Sequence, residues 1–172
     1  MIGWRPRRID VPAEVAAQLG RGEHVLSSAQ ADGGGWILGT RTRLYLVDPS
    51  GQVESWPWHE VQRADWDKDA STLHVERVQE YGAPIVERSL TIDEPGDLVA
   101  LLRERVTATV LLTRHVPVNG KRGFRVIGRR STDRGETSWA FEFDPGIEPE
   151  DPAVRASTER ALAEARESAG LG

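Results

Sequence analysis

ADGGGWILGTRTRLYLVD, residues 31–48, decides between two architectures. Three consecutive glycines precede an apolar run, two arginines follow, and a second apolar run comes next. A phosphate-cradling loop needs Gly-Lys-Ser/Thr at the head of a helix, so that backbone N–H groups and a lysine face the anion. A dinucleotide fingerprint also needs a helix after its glycines. Here Gly35 leads into Trp36-Ile37-Leu38, a strand-like run with no lysine nearby. The glycines therefore read as a turn joining two strands. In the second run Leu44 and Leu46 alternate with Tyr45 and Val47, so both faces are apolar, as in a strand covered on both sides.

Strand-like segments recur on either side at close spacing: 23–31, 36–40, 43–47, 52–56, 61–66, 72–78 and 85–92. Turn residues separate them, among them Asp48-Pro49-Ser50-Gly51 and Tyr81-Gly82-Ala83-Pro84. Leu73 and Val75 alternate with His74 and Glu76, the pattern of a half-exposed strand. Residues 11–20 read as a short helix, with Asp10 as cap, Pro12 in the first turn and Gly20 as stop. Residues 94–105 read as an amphipathic helix: Leu98, Leu101 and Leu102 share a face, and Asp97 lies near the positive end of the macrodipole. Seven strands followed by one such helix suit a small bent barrel whose open end the helix plugs.

The remaining third reads as an addition. Val106, Ala108, Val110 and Leu112 alternate with Thr107, Thr109, Leu111 and Thr113, which favours a strand; the competing reading continues the helix through Val106 and Val110. Asn119-Gly120 is a hairpin signal, and 123–130 forms the returning strand. Residues 137–143 make a third strand, with Trp139, Phe141 and Phe143 on one face. An acidic linker and a closing helix bearing Val154, Ala161, Leu162 and Ala165 fill 149–170. The organisation expected is an N-terminal segment (1–21), a barrel with its capping helix (22–106), and appended antiparallel strands with a closing helix (107–172).

Three motifs in the middle part resemble those of bacterial pleckstrin-homology-like domains: Gly22-Glu23-His24-Val25-Leu26, Thr40-Arg41-Thr42-Arg43-Leu44 and Trp56-Pro57-Trp58-His59-Glu60-Val61. The resemblance spans residues 20 to 106. It implies a mainly β (α+β) protein built on a seven-stranded split barrel capped by a helix. It also implies binding of peptides, proteins or lipid head groups rather than catalysis. The stretch LTRHVPVNGKRGFRVIGRRS further on resembles a segment of actinobacterial proteins and brings no function with it. Lipid-binding pleckstrin domains carry lysines and arginines around the loop between their first strands. Here that loop, 30–35, holds only Asp32 as a charged residue, while Arg41 and Arg43 on the next turn lack basic company in sequence. This departure argues against phosphoinositide binding.

Composition narrows the chemistry. The chain of 172 residues contains no cysteine, which removes disulfides, thiolate catalysis and cysteine-bound zinc, and suits a reducing cytoplasm. The basic start at 1–8 is not followed by the apolar core of a signal peptide. No run approaches the roughly 18 apolar residues of a membrane span. The expected location is cytoplasmic. Histidines 24, 59, 74 and 115 lack metal-ligand spacing, and His59 and Glu60, adjacent on a strand, would point to opposite faces. With no nucleophile motif either, the expectation is a protein that is not an enzyme and uses no cofactor or metal.

Two features are candidates for binding. Trp56 and Trp58, among six tryptophans, share one strand face and read either as core or as an aromatic groove for a peptide. Net charge is −5, yet residues 114–134 hold seven basic side chains and one acidic. Arg114, Lys121, Arg122, Arg125, Arg129, Arg130 and Arg134 make up this island, and the equal parity of Arg125 and Arg129 suggests a positive stripe beside Phe124. Its competing reading is internal pairing with the acidic tail of Glu148, Glu150, Asp151, Glu159, Glu164 and Glu167. The expected function is therefore non-catalytic binding of a protein or peptide, or of a second copy, through an uncovered sheet edge. The alternative is a polyanion, RNA or anionic lipid, bound through the island.

Overall fold

The computed structural model describes residues 10–78, 84–132 and 134–171. The basic start and the expected turn at 81–84, except Pro84, lie outside the described residues. The protein is mainly β, with three separate antiparallel sheets and few helices.

Strands β1 (Ser27–Gln30), β2 (Trp36–Gly39), β3 (Arg43–Val47) and β4 (Val53–Pro57) pair in chain order. The three glycines make the turn from β1 to β2. Gly33 and Gly34 adopt φ of 78° and 97°, which disfavour other residues. A Cβ on Gly35 would lie 2.9 Å from the Val47 carbonyl oxygen. Both faces of β3 are covered, as its sequence foretells: Leu44 and Leu46 join the central core, while Tyr45 and Val47 pack with Val15 and Leu38. Val15 belongs to α1 (Ala13–Ala16), a single turn shorter than expected. Pro12, not Asp10, occupies its N-cap, with no side-chain cap bond.

The second sheet runs β5 (Val61–Asp67), β6 (Thr72–Arg77), β7 (Val86–Thr91). Between the two sheets lie Ile37, Leu44, Trp56, Trp58, Val61, Leu73, Val75 and Ile92. A turn at Trp58–Glu60 separates β4 from β5, and no ladder joins the two sheets into a closed barrel among the described residues. Helix α2 (Leu98–Thr109) lays Leu98, Leu102 and Val106 onto this core at four-residue intervals.

Here the structure corrects the expectation of a strand from 106. Val106 extends the apolar stripe by one more turn, so the helix runs to Thr109 and the strand begins at Val110. The boundary expected at 106 thus falls inside α2. Strands β8 (Val110–Asn119), β9 (Arg122–Arg130) and β10 (Thr137–Phe143) form the third sheet in the order β10-β9-β8. Trp139, Phe141 and Phe143 stand opposite Gly128, Val126 and Phe124, on one face as expected. Gly128 makes room for the indole, since a Cβ there would meet the Trp139 ring at 2.8 Å.

Helix α3 (Pro152–Ser168) covers that face. The Asp151 carboxylate accepts the Ala153 N–H at 2.8 Å, and Pro152 occupies the first turn, a favourable helix start. Val154, Thr158, Ala161 and Ala165 form the buried stripe, and Ala161 and Ala165 pack against Phe124, Val126 and Trp139.

Candidate functional site

Trp56 and Trp58 are both completely buried in the core between the first two sheets. The Trp58 indole donates to the Thr40 carbonyl at 3.1 Å, and that of Trp56 to the Glu54 carboxylate at 3.3 Å. The Arg77 guanidinium lies 5.6 Å from the centre of the Trp56 ring and pairs with Glu60 at 2.6 Å. Each indole thus has its apolar body in the core and its N–H satisfied, which corrects the reading of these residues as an exposed groove.

The basic island is dispersed rather than striped. Along β9, Phe124 and Val126 face α3, while Arg125, Ile127 and Arg129 face the other way. That second face is open at Arg125 but covered at Arg129, which is 5% exposed. Arg129 donates to the Val106 carbonyl at 2.9 Å, the Thr109 hydroxyl at 3.0 Å and the Gln62 carbonyl at 3.1 Å. Gln62 sits where the β5–β6 register shifts, so its carbonyl stands outside the regular ladder. Val106 and Thr109 lie in the last turn of α2, whose carbonyls favour a cation. Burial lowers the Arg129 pKa, and the Glu142 carboxylate opposes that shift. Arg129 is an internal tie between the third sheet and the rest of the chain.

Arg114 pairs with Glu164 of α3 at 2.8 Å, so internal pairing with the acidic tail holds at this one point among the described residues. Lys121, Arg122 and Arg125 are exposed near the tip of the β8–β9 hairpin. Arg130 is exposed at the opposite end of β9, eight residues and about 26 Å from Arg122. Near the tip the Asp144 carboxylate accepts the Gly123 N–H at 2.8 Å and lies 3.2 Å from His115 Nε2. These two bonds hold its pKa below the usual carboxylate value.

The sequence did not single out the outer face of the second sheet. The register sets Arg63, Glu76 and Glu87 in one cross-strand row and Asp65, His74 and Ser89 in the next. Together with Val75 and Arg88 they line an open cleft of about 380 Å³. Arg63 pairs with Asp65, and Arg88 reaches Glu54 of β4 at 2.8 Å. Glu76 and Glu87 stand directly opposite each other with no ion pair among the described residues. Partial burial raises the Glu76 pKa, Arg63 counters it, and Glu87 and Asp65 add to it. The signal lay in the polar parity of three strands, but only the register aligns them.

Strand β7 ends this sheet, and Glu87, Arg88, Ser89 and Thr91 are exposed. The Ile92 N–H bonds to the Ser71 carbonyl, on the β6 side. Antiparallel alternation then turns the N–H and C=O of Glu87, Ser89 and Thr91 away from β6.

Among the described residues no group of three His, Asp or Glu side chains is placed to hold a metal ion, and no helix is long and apolar enough to cross a membrane. The chain matches no protein-family model and no curated protein.

Proposed function

We propose that this protein is a non-catalytic binding module of the pleckstrin-homology-like kind that takes an extended peptide from a partner protein along β7. The observation that carries the reading is the edge itself. Three residues of β7 turn backbone donors and acceptors away from the sheet, and Glu87, Arg88 and Ser89 line the adjacent cleft. Main-chain pairing along such an edge supplies affinity, and alternate side chains entering the cleft supply selectivity. The division of the first seven strands into four and three, with α2 over the core between them, supports the family resemblance.

The test is selection of peptides from a displayed library, followed by two substitutions at one position. Ser89→Ala removes the hydroxyl and keeps the outward N–H. Ser89→Pro removes that donor and blocks a neighbouring strand, while sparing the β6 ladder. Selected peptides are expected to bind the wild type and Ser89→Ala alike and to lose at least about tenfold in affinity with Ser89→Pro, since several ladder bonds depend on close approach. Equal binding by both variants, with native amide spectra, overturns the reading.

A second reading, binding of a polyanion such as RNA, rests on Lys121, Arg122 and Arg125, three exposed cations with no ion pair among the described residues. It predicts RNA affinity that falls steeply with salt and with Lys121→Glu/Arg122→Glu.

A further inference from the structure

On the outer face of the second sheet, Arg63, Glu76 and Glu87 form one cross-strand row, and Glu87 ends it at the open edge. All three line the same cleft. The one cation of the row is already engaged, because Arg63 pairs with Asp65. Glu76 is half-buried and Glu87 exposed, and neither forms an ion pair among the described residues. Arg88, next in sequence, turns to Glu54 on the other side of the sheet.

The backbone brings the two carboxylates close. Because the N–H and C=O of Glu87 turn away from β6, Glu76 and Glu87 form a non-hydrogen-bonded pair, the kind whose side chains approach most nearly. Like charges so placed are destabilising. Partial burial raises the Glu76 pKa, and Glu87 raises it further.

A strand laid against β7 extends each row by one residue. The residue facing Glu87 exchanges main-chain bonds with it. The Glu87 carbonyl accepts from Arg88 Nη1 at 2.8 Å and keeps a second lone pair for the incoming N–H. The side chain of that residue falls on the outer face, about 5 Å from that of Glu87. A lysine or arginine there sets its charge beside Glu87 and toward Glu76. The adjoining residue of the incoming strand faces Arg88 on the other side, where a second cation meets like charge. A second copy of β7 does not supply the missing cation. Pairing about a two-fold axis normal to the sheet sets Glu87, Ser89 or Thr91 opposite Glu87, and none of them is basic.

We infer that the partner segment at β7 carries a lysine or arginine directly opposite Glu87, so that this edge selects a basic residue in an extended peptide. The inference rests on the peptide reading of β7 and names the chemistry that the site selects.

The experiment uses the full chain and one peptide selected on the wild type. The peptide is made in three versions, with lysine, glutamine or glutamate at the position facing Glu87. A nuclear Overhauser contact between Arg88 Hα and the peptide backbone fixes that position. The lysine version is expected to bind about tenfold more tightly than the glutamate version. Glu87→Lys should reverse the order, Glu87→Gln should flatten it to within about threefold, and high salt should narrow it. Ser89→Pro should weaken all three versions alike. Equal affinity of the three for the wild type, together with loss in Ser89→Pro, overturns the charge selection and leaves the edge reading standing. If no peptide is selected, if Ser89→Pro binds as well as the wild type, or if the edge serves only self-association, the edge reading falls and this inference falls with it.

Discussion

The Arg129 guanidinium reaches the Gln62 carbonyl at 3.1 Å, joining a strand of the third sheet to a bulge in the second across 67 residues of sequence. Replacing Arg129 by Met leaves the Gln62 carbonyl and the end of α2 without their donor. A loss of about 3 kcal/mol in urea unfolding is expected. Arg129→Lys should recover only part of it, because a single ammonium does not reproduce the fork that serves both sides.

Two glycine substitutions should differ sharply. A Cβ on Gly123 would fall 1.9 Å from the Val116 carbonyl oxygen, a backbone atom, whereas one on Gly39 would meet the Leu101 side-chain terminus at 2.5 Å. Gly123→Ala should force the β8–β9 hairpin apart and cost about 3 kcal/mol or more; Gly39→Ala should cost about 1 kcal/mol as Leu101 shifts. Denaturation midpoints of the two variants, compared directly, check the order.

Trp58→Phe removes the donor to the Thr40 carbonyl and leaves a void in the core. About 2–3 kcal/mol of stability should be lost. Peptide affinity per folded molecule should not change, because the ring is fully buried. A calorimetric melting curve and a binding isotherm on the same sample separate the two effects.

Glu76 has a folded-state pKa above its unfolded value, so the folded state binds the extra proton in the window just above the usual carboxylate value. Its contribution to stability therefore falls as pH rises through that window. Glu76→Gln is expected to stabilise the protein at pH 7 by about 0.5 kcal/mol, the scale of one solvent-screened like-charge pair across a ladder. That advantage should vanish below about pH 4, where the carboxyl is protonated in both states. Melting temperatures of the two proteins across pH 3–8 test the sign.

How far the sequence spoke for itself depended on whether the question was local. The apolar pairs in 44–47 announced a strand covered on both faces, and α1 and the central core supply the two covers. The stripe on α3 was equally legible, because helical periodicity identifies a buried face without naming its partner. Periodicity failed at 106–109, where Val106 satisfies both a two-residue and a four-residue repeat and packing against the core decided between them. It failed again for Arg125 and Arg129: equal parity places them on one face, but not which half of that face lies under α2 and β5. Trp56 and Trp58 offered the same residues to two opposite readings, core and groove. The bond from the Thr132 hydroxyl to the Thr42 carbonyl, across 90 residues, is a fact of tertiary structure alone.

The tie at Arg129 also sets an order in time. As the chain leaves the ribosome, Val106 precedes the arginine that bonds its carbonyl by 23 residues. At synthesis rates of roughly 5–20 residues per second, that gap is about one to five seconds. Throughout it the Gln62 carbonyl and the end of α2 lack their donor and bond to water. The first two sheets and α2 therefore emerge before the residue that ties them to the third, and the arrival of β9 ends that interval.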